Sequence, residues 1–279
     1  MIVSAQGAEL FCATRGQGPT CLVLCHLGTR PYEIQMPASL SERLELVFVD
    51  LRGSGRSSGE VADLSFDVLA EDLEAVRVAL GRERIAVLGH SVLGVLAIEH
   101  GRRCPGSVSH VITVGTPPSG DMARLAAASQ AFFEADASEA RKELLRENMA
   151  SLSEGASPAQ AMYAQTPLRF FDPRFDAAPL FAGADVRPQV FQHLLGALTS
   201  SWDVTADAST LRVPIFLAQG RYDYIVPYTL WNGIPETLPD ATLRLFERSG
   251  HQPFVEEPEG FAAAVTGWMG GHPRRTVTG

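Results

Sequence analysis

Three residues, Ser91, Asp223 and His251 in chain order, have the types needed for nucleophilic chemistry at a carbonyl. A serine hydroxyl is a poor nucleophile at neutral pH and needs a base within hydrogen-bond reach. That base, an imidazole, needs a carboxylate to fix its tautomer and to stabilise the imidazolium. Each of the three follows a short apolar run. Ser91 sits in VLGHSVLG (87–94), Asp223 in RYDYIVP after VPIFLAQG, and His251 in SGHQPFVEEPEGF after ATLRLFE. Taken singly they say less. VLGHSVLG departs from the nucleophile turn G-x-S-x-G, because Leu93 holds the place of the closing glycine and Gly94 comes one residue late. Alone it reads equally well as a strand-to-helix turn with a capping serine, Asp223 as a turn residue and His251 as a loop histidine. Their occurrence in this order, each past a strand-like run, makes them a set.

Elements of definite kinds must position such a set. The segments 20–26, 44–50, 84–90, 109–115, 213–220 and 241–247 are near-continuous Val, Ile, Leu and Phe runs, the pattern of parallel strands covered on both faces. Residues 2–16 read as a hairpin turning at Gly7. Helical periodicity lies between the runs. Phe66, Leu69, Leu73, Val76 and Leu80 recur on one face after the N-cap Ser65, and Gly81 ends that helix. Further helices are expected over 92–103 and 258–269. Strand–helix alternation predicts an α/β fold with a mostly parallel sheet and right-handed crossovers. From 119 to 205 the strands stop, and amphipathic helical stretches follow one another. The predicted organisation is therefore a core of 1–118 and 206–279, carrying a helical lid of 119–205 over the strand ends, where open α/β sheets bind ligands.

A net charge of −9 argues against nucleic acid or an anionic membrane as partner, since both reward a basic face. The pairs Arg102–Arg103 and Arg274–Arg275 read as solvated surface. No apolar run reaches the 18 or more residues of a membrane span, and the first residues lack the pattern of a signal peptide. Four cysteines, Cys12, Cys21, Cys25 and Cys104, form neither a disulfide framework nor a zinc pattern. A cytoplasmic protein acting on a small molecule, without metal or cofactor, is expected; its oligomeric state is not legible.

With these motifs in place, the chain resembles the α/β-hydrolase superfamily over nearly its full length. HLG at His26–Gly28 stands where that family has its His-Gly oxyanion motif, and DLRGSGRSSG (50–59) is similar to its Asp-x-Arg-Gly-x-Gly-x-Ser loop. GHS, GRYDYIVP and SGHQPFVEEPEGF match its three triad segments. The resemblance implies Ser91 as nucleophile, His251 as base and Asp223 as its orienting acid. It places the oxyanion N–H groups on Val92 and Gly28, with Leu27 the neighbouring alternative. Asp50 and Arg52 would brace adjacent loops. WDVTADASTLRVPIFLAQGRYD is most similar to the proline iminopeptidase branch, though HLGTRP replaces that branch's His-Gly-Gly-Pro-Gly. The implied activity is cofactor-independent cleavage of an ester, lactone or amide with an apolar portion, through an acyl-enzyme. The alternatives are an iminopeptidase-type aminopeptidase, whose ammonium site would need lid carboxylates among Glu134, Glu139, Glu143, Glu147 and Glu154, and a lyase, cyclase or ligand-binding protein on the same fold.

His90 should point into the sheet, and His100, His110, His193 and His272 should be surface or satisfied core residues. The aromatics of the insert, Phe132 to Trp202, should form mostly its own core. Trp231 is a weaker candidate for the pocket wall. Leu93 should fit the first turn of a helix, with Gly94, Gly115 and Thr116 making room for it.

Overall fold

A computed structural model describes residues 1–62, 64–199 and 201–272; the pair Arg274–Arg275 lies outside them. The strands fall where the apolar runs are: β1 (Ile2–Ala5), β2 (Ala8–Arg15), β3 (Thr20–Cys25), β4 (Glu45–Asp50), β5 (Ile85–His90), β6 (Val108–Val114), β7 (Ile215–Gly220) and β8 (Ala241–Phe246). They form one eight-stranded sheet of order β1-β2-β4-β3-β5-β6-β7-β8. β2 alone is reversed, pairing antiparallel with both β1 and β4; β4, β3, β5, β6, β7 and β8 pair in parallel. Every residue of β3 and β7 is buried, as strands covered on both faces require.

Short helices α1 (Thr29–Gln35) and α2 (Ala38–Ser41) link β3 to β4. Next come α3 (Phe66–Ala79) and α4 (Leu93–Arg103), whose faces carrying Leu69, Leu73, Val76, Val95 and Ile98 close the core. The Ser65 hydroxyl caps α3 by accepting the Val68 N–H. Between β6 and β7 lie α5 (Met122–Asp136), α6 (Glu139–Ala150), α7 (Pro158–Ala164), α8 (Thr166–Arg169) and α9 (Pro188–Thr199). The two ends of this insert meet in a narrow neck. Ser119 and Asp203 form an isolated bridge, Gly120 N–H donates to Trp202 O at 2.7 Å, and Val204 N–H donates to Pro118 O at 2.9 Å. After β8, α10 (Pro253–Glu256) and α11 (Pro258–Gly271) finish the chain. Among the described residues no helix is long and apolar enough to cross a membrane.

Arg103 is exposed, as expected, but Arg102 is not solvated surface. Arg102 is held by Glu99 and donates to the carbonyls of Val204, Ala206 and Asp207, fastening α4 to the exit of the insert, while Arg103 bridges Glu99 and Asp67. Trp202 likewise belongs to the main core, with its indole N–H on Glu99 Oε1 at 2.9 Å. The buried Glu99 carboxylate attracts both, because a charge taken from water needs donors around it.

The turn from β5 into α4 shows how the displaced glycine is accommodated. Leu93 is the first residue of α4, fully buried in the core. Gly94 presses against Thr116, so that a β-carbon there would collide with the threonine side chain. The close helix–strand approach is thus provided by Gly94, and Leu93 fills core volume. We expect Leu93→Gly to keep the turn and lower stability by about 1 kcal/mol from helix propensity, plus ~2–5 kcal/mol for the vacated core volume. Gly94→Ala should cost about 1–3 kcal/mol by overpacking. Gly106→Ala, in open space, should be nearly silent. Urea unfolding of the three variants checks the order; a neutral Gly94→Ala would contradict it.

Candidate active site

The carboxyl ends of β5, β6, β7 and β8 bring the expected residues to one edge of the sheet, since the strands run in parallel and in register there. Ser91, directly after β5, has φ +56°, a left-handed conformation that non-glycine residues adopt only when surroundings enforce it. Three hydrogen bonds do so. Ser91 N–H donates to Val114 O at 2.7 Å, and Ser91 O accepts from the Thr116 hydroxyl at 2.9 Å and from Gly94 N–H at 3.0 Å. The strain falls on the serine itself, the geometry of a nucleophile elbow.

His251 and Asp223 meet from the loops after β8 and β7. His251 Nδ1 lies 2.7 Å from Asp223 Oδ2, with both side chains buried. Asp223 Oδ1 accepts the N–H groups of Ile225 at 2.9 Å and Val226 at 2.8 Å, so the carboxylate is aimed as well as placed. With Nδ1–H given to the carboxylate, the lone pair of His251 rests on Nε2, the tautomer a general base requires. The imidazole lies against Gly115, where a β-carbon would stand 2.8 Å from Nδ1. Gly115 follows Val114, whose carbonyl tethers Ser91, so one stretch of backbone registers the histidine against the serine. Gly115 therefore makes room for His251 and not, as expected from the sequence, for Leu93.

His90 does not point into the sheet. Its Nε2 is 2.9 Å from the carbonyl of His251, and its ring packs against those of His251 and Phe254. Burial, helped by the neighbouring His251, holds the His90 pKa well below the ordinary imidazole value. The neutral ring must then carry its proton on Nε2, donated to the His251 carbonyl.

On the other side, β3 pairs with β5, so the HLG segment emerges beside the serine turn. Gly28 has φ +82° and ψ +157°, a region open only to glycine. Val92 is the N-cap of α4, at the end of the helix where N–H groups point outward. Burial lowers the His26 pKa to about 4. The Tyr32 hydroxyl, 2.6 Å from His26 Nδ1, is kept protonated by its own burial and donates there, which leaves the imidazole proton on Nε2. Behind this loop, Asp50 Oδ2 accepts Arg56 N–H at 2.9 Å, and Arg52 forms a buried ion pair with Asp72. Both brace loops, as expected.

The insert touches this site through main-chain atoms, a feature with no side-chain signature. His251 N–H donates to Arg169 O at 2.6 Å, Tyr224 N–H to Leu168 O at 3.0 Å, and Asp185 N–H to Leu27 O at 2.8 Å. Phe170, Phe181 and Phe133 are buried, whereas Phe191 of α9 is 37% exposed and stacks on His26. Trp231 is no pocket wall: it is fully buried, with its indole N–H on Thr116 O at 2.8 Å. Among the described residues, Glu134, Glu139, Glu143, Glu147 and Glu154 are exposed, and Lys142 and Arg146 pair with three of them. His193 is exposed; His100 is buried with Nε2 on Glu74 at 3.0 Å. Glu74, His100 and Cys104 lie close enough to share an ion, but Ser107 and Arg77 also hold Glu74, and the cluster sits by the amino end of β6, at the opposite edge of the sheet from Ser91.

Comparison with known proteins agrees with this architecture. A family model described as the alpha/beta hydrolase fold matches residues 21–258. The chain is 29% identical over 278 residues to AB hydrolase superfamily protein YclE of Bacillus subtilis (strain 168), covering 96% of this chain and 98% of the relative. It is 28% identical over 272 residues to a pimeloyl-[acyl-carrier protein] methyl ester esterase of Nitrosomonas europaea, covering 92% and 98%. The solved structure of a proline iminopeptidase from Mycobacterium smegmatis superposes with a TM-score of 0.75 at 19% identity, covering 98% of each chain, a likeness of fold alone. With a family match across most of its length and an eight-stranded sheet of this topology, the chain belongs to the alpha/beta hydrolase fold family and is related to hydrolases.

Proposed function

We propose that this protein is a serine hydrolase that cleaves an ester, lactone or amide with an apolar portion through an acyl-enzyme. The observation that carries this reading is the buried His251–Asp223 pair, 2.7 Å apart, registered through Gly115 against a serine in left-handed conformation. Ser91 Oγ attacks the substrate carbonyl and passes its proton to His251 Nε2. Asp223 holds the ring and stabilises the imidazolium as it forms. The N–H groups of Val92 and Gly28 receive the oxyanion, a contribution of about 10²–10³ in rate for one such donor. His251 then protonates the leaving group. Water, deprotonated by the same histidine, attacks the acyl carbon and returns Ser91. No metal or cofactor is needed.

In this reading the insert is a lid over the acyl pocket. Support comes from its backbone contacts to the loops of Leu27, Tyr224 and His251, and from Phe191, a partly exposed aromatic against His26. An ester is favoured over a peptide with a free amino terminus, because the glutamates of the insert face solvent instead of framing an ammonium site. The esterase relative supports the same choice. The four unpaired cysteines suit a cytoplasmic setting, and the acidic charge suits a small-molecule substrate.

Ser91→Ala and His251→Ala should each lower kcat by about 10³ or more, and the double variant should lose little further because the residues act as a unit. Asp223→Asn should also abolish most turnover by presenting an amide where His251 needs an acceptor. Steady-state kinetics on a panel of p-nitrophenyl esters of increasing chain length measures all of these. Near-normal kcat in Ser91→Ala would end the reading. On the same panel Phe191→Ala should weaken kcat/KM for long chains more than for acetate; an equal loss on every ester would remove Phe191 from the acyl pocket.

A further inference from the structure

Glu256, at the end of α10, is half-buried and both of its carboxylate oxygens are occupied. Oε2 accepts the N–H of Gly250, the residue before His251, at 2.7 Å, and Oε1 accepts the N–H of Phe171 in the insert at 2.5 Å. The same two segments meet directly. His251 N–H donates to Arg169 O at 2.6 Å, and Gly250 lies so close to that carbonyl that a β-carbon would collide with it. The insert's half of the joint is rigid, because the buried guanidinium of Arg141 donates to Pro167 O and Phe170 O at 2.8 Å each, and also to Phe171 O. Phe171 is therefore held by charged groups at both its N–H and its carbonyl.

We propose that Glu256 is a positioning residue for the histidine: its carboxylate staples the insert's 168–171 turn to the 250–251 loop, so that a docked insert and a correctly placed imidazole are one state. The inference rests on His251 being the general base. A carboxylate suits the joint because two N–H donors converge on it and each needs an acceptor. An amide or a protonated acid offers one acceptor oxygen and turns a donor toward the other N–H, which loosens one side of the staple.

The groups around Glu256 make its ionisation responsive. Burial pushes its pKa up to about 7, against the two backbone hydrogen bonds, and the nearby Asp223 and Glu257 push the same way. Arg141 is the cation facing it from the insert, and Arg169 of α8 interacts with Asp223. The staple therefore tightens as pH rises through about 7 and is loosened on one side as pH falls through it and the carboxylate takes up a proton.

Glu256→Gln, measured beside wild type and Ser91→Ala on a short p-nitrophenyl ester from pH 5.5 to 8.5, tests this. The expected result is a roughly tenfold lower kcat above pH 8 with KM little changed. That deficit should shrink toward unity as pH falls below about 7, since the protonated wild-type acid is then loosened in the same way as the amide. A deficit of constant size at every pH would mark Glu256 as merely structural, and no deficit would remove it altogether; either overturns the proposal. Turnover by Ser91→Ala would instead sink the serine reading, so the two failures are distinguishable. Should Glu256→Gln fail to fold, amide NMR of wild type decides. The Gly250 and Phe171 N–H signals should titrate together near pH 7, and separate midpoints or the absence of any titration would contradict the staple.

Discussion

Most of what surrounds the site serves one contact, the buried hydrogen bond between His251 Nδ1 and Asp223 Oδ2. Neither residue lies in a strand, so nothing in the sheet's own ladder fixes them. Their two loops are held instead by cross-ties. Tyr222 N–H donates to Ser249 O and Arg221 N–H to Phe246 O, each at 2.9 Å, joining the acid loop to the histidine loop. Gly115 supports the imidazole from below, His90 grips its carbonyl, and the insert grips its N–H. A buried polar pair of this kind is stable only when its remaining donors and acceptors are satisfied. Here neighbouring loops satisfy them.

A lid that only covered substrate would touch the core through side chains and could swing clear of it. Residues 168–171 instead exchange main-chain hydrogen bonds with the loops carrying Asp223 and His251, and Arg141 freezes that turn from behind. The base of the insert is thus structurally continuous with the loops of Asp223 and His251. On the other side of the site, α9 meets the core through Phe191, which is partly exposed and stacks on His26.

Much of the architecture was legible because apolar runs bounded by turn residues mark strands. The six runs and the hairpin correspond to β1 through β8, and the order serine, acid, histidine pointed to the residues that converge. Strand order was not readable, since it depends on which runs pair across the sheet. Main-chain contacts were equally silent: nothing in the identity of Arg169 announces that its carbonyl will meet His251 N–H. Trp231 was misjudged because its amphipathic ring suits a pocket wall as well as a core, and its partner, the Thr116 carbonyl, is distant in sequence. Arg102 was misjudged although Glu99, three residues earlier, offered a local ion-pair signal; its other partners, at 204–207, could not be anticipated. Glu256 lies in the segment that carries His251, yet its partner Phe171 is far away in sequence, so their contact has no sequence signal.

The central claim is that Ser91 is an activated nucleophile because His251 and Asp223 are placed to activate it. Labelling by a fluorophosphonate, followed by intact-mass and peptide-mapping mass spectrometry, tests this most directly, since the reagent reports an activated serine without presupposing a substrate. The account predicts stoichiometric modification of wild type at Ser91, and labelling slowed by orders of magnitude in His251→Ala. An unmodified wild-type protein, or a label carried by any other serine, would contradict it.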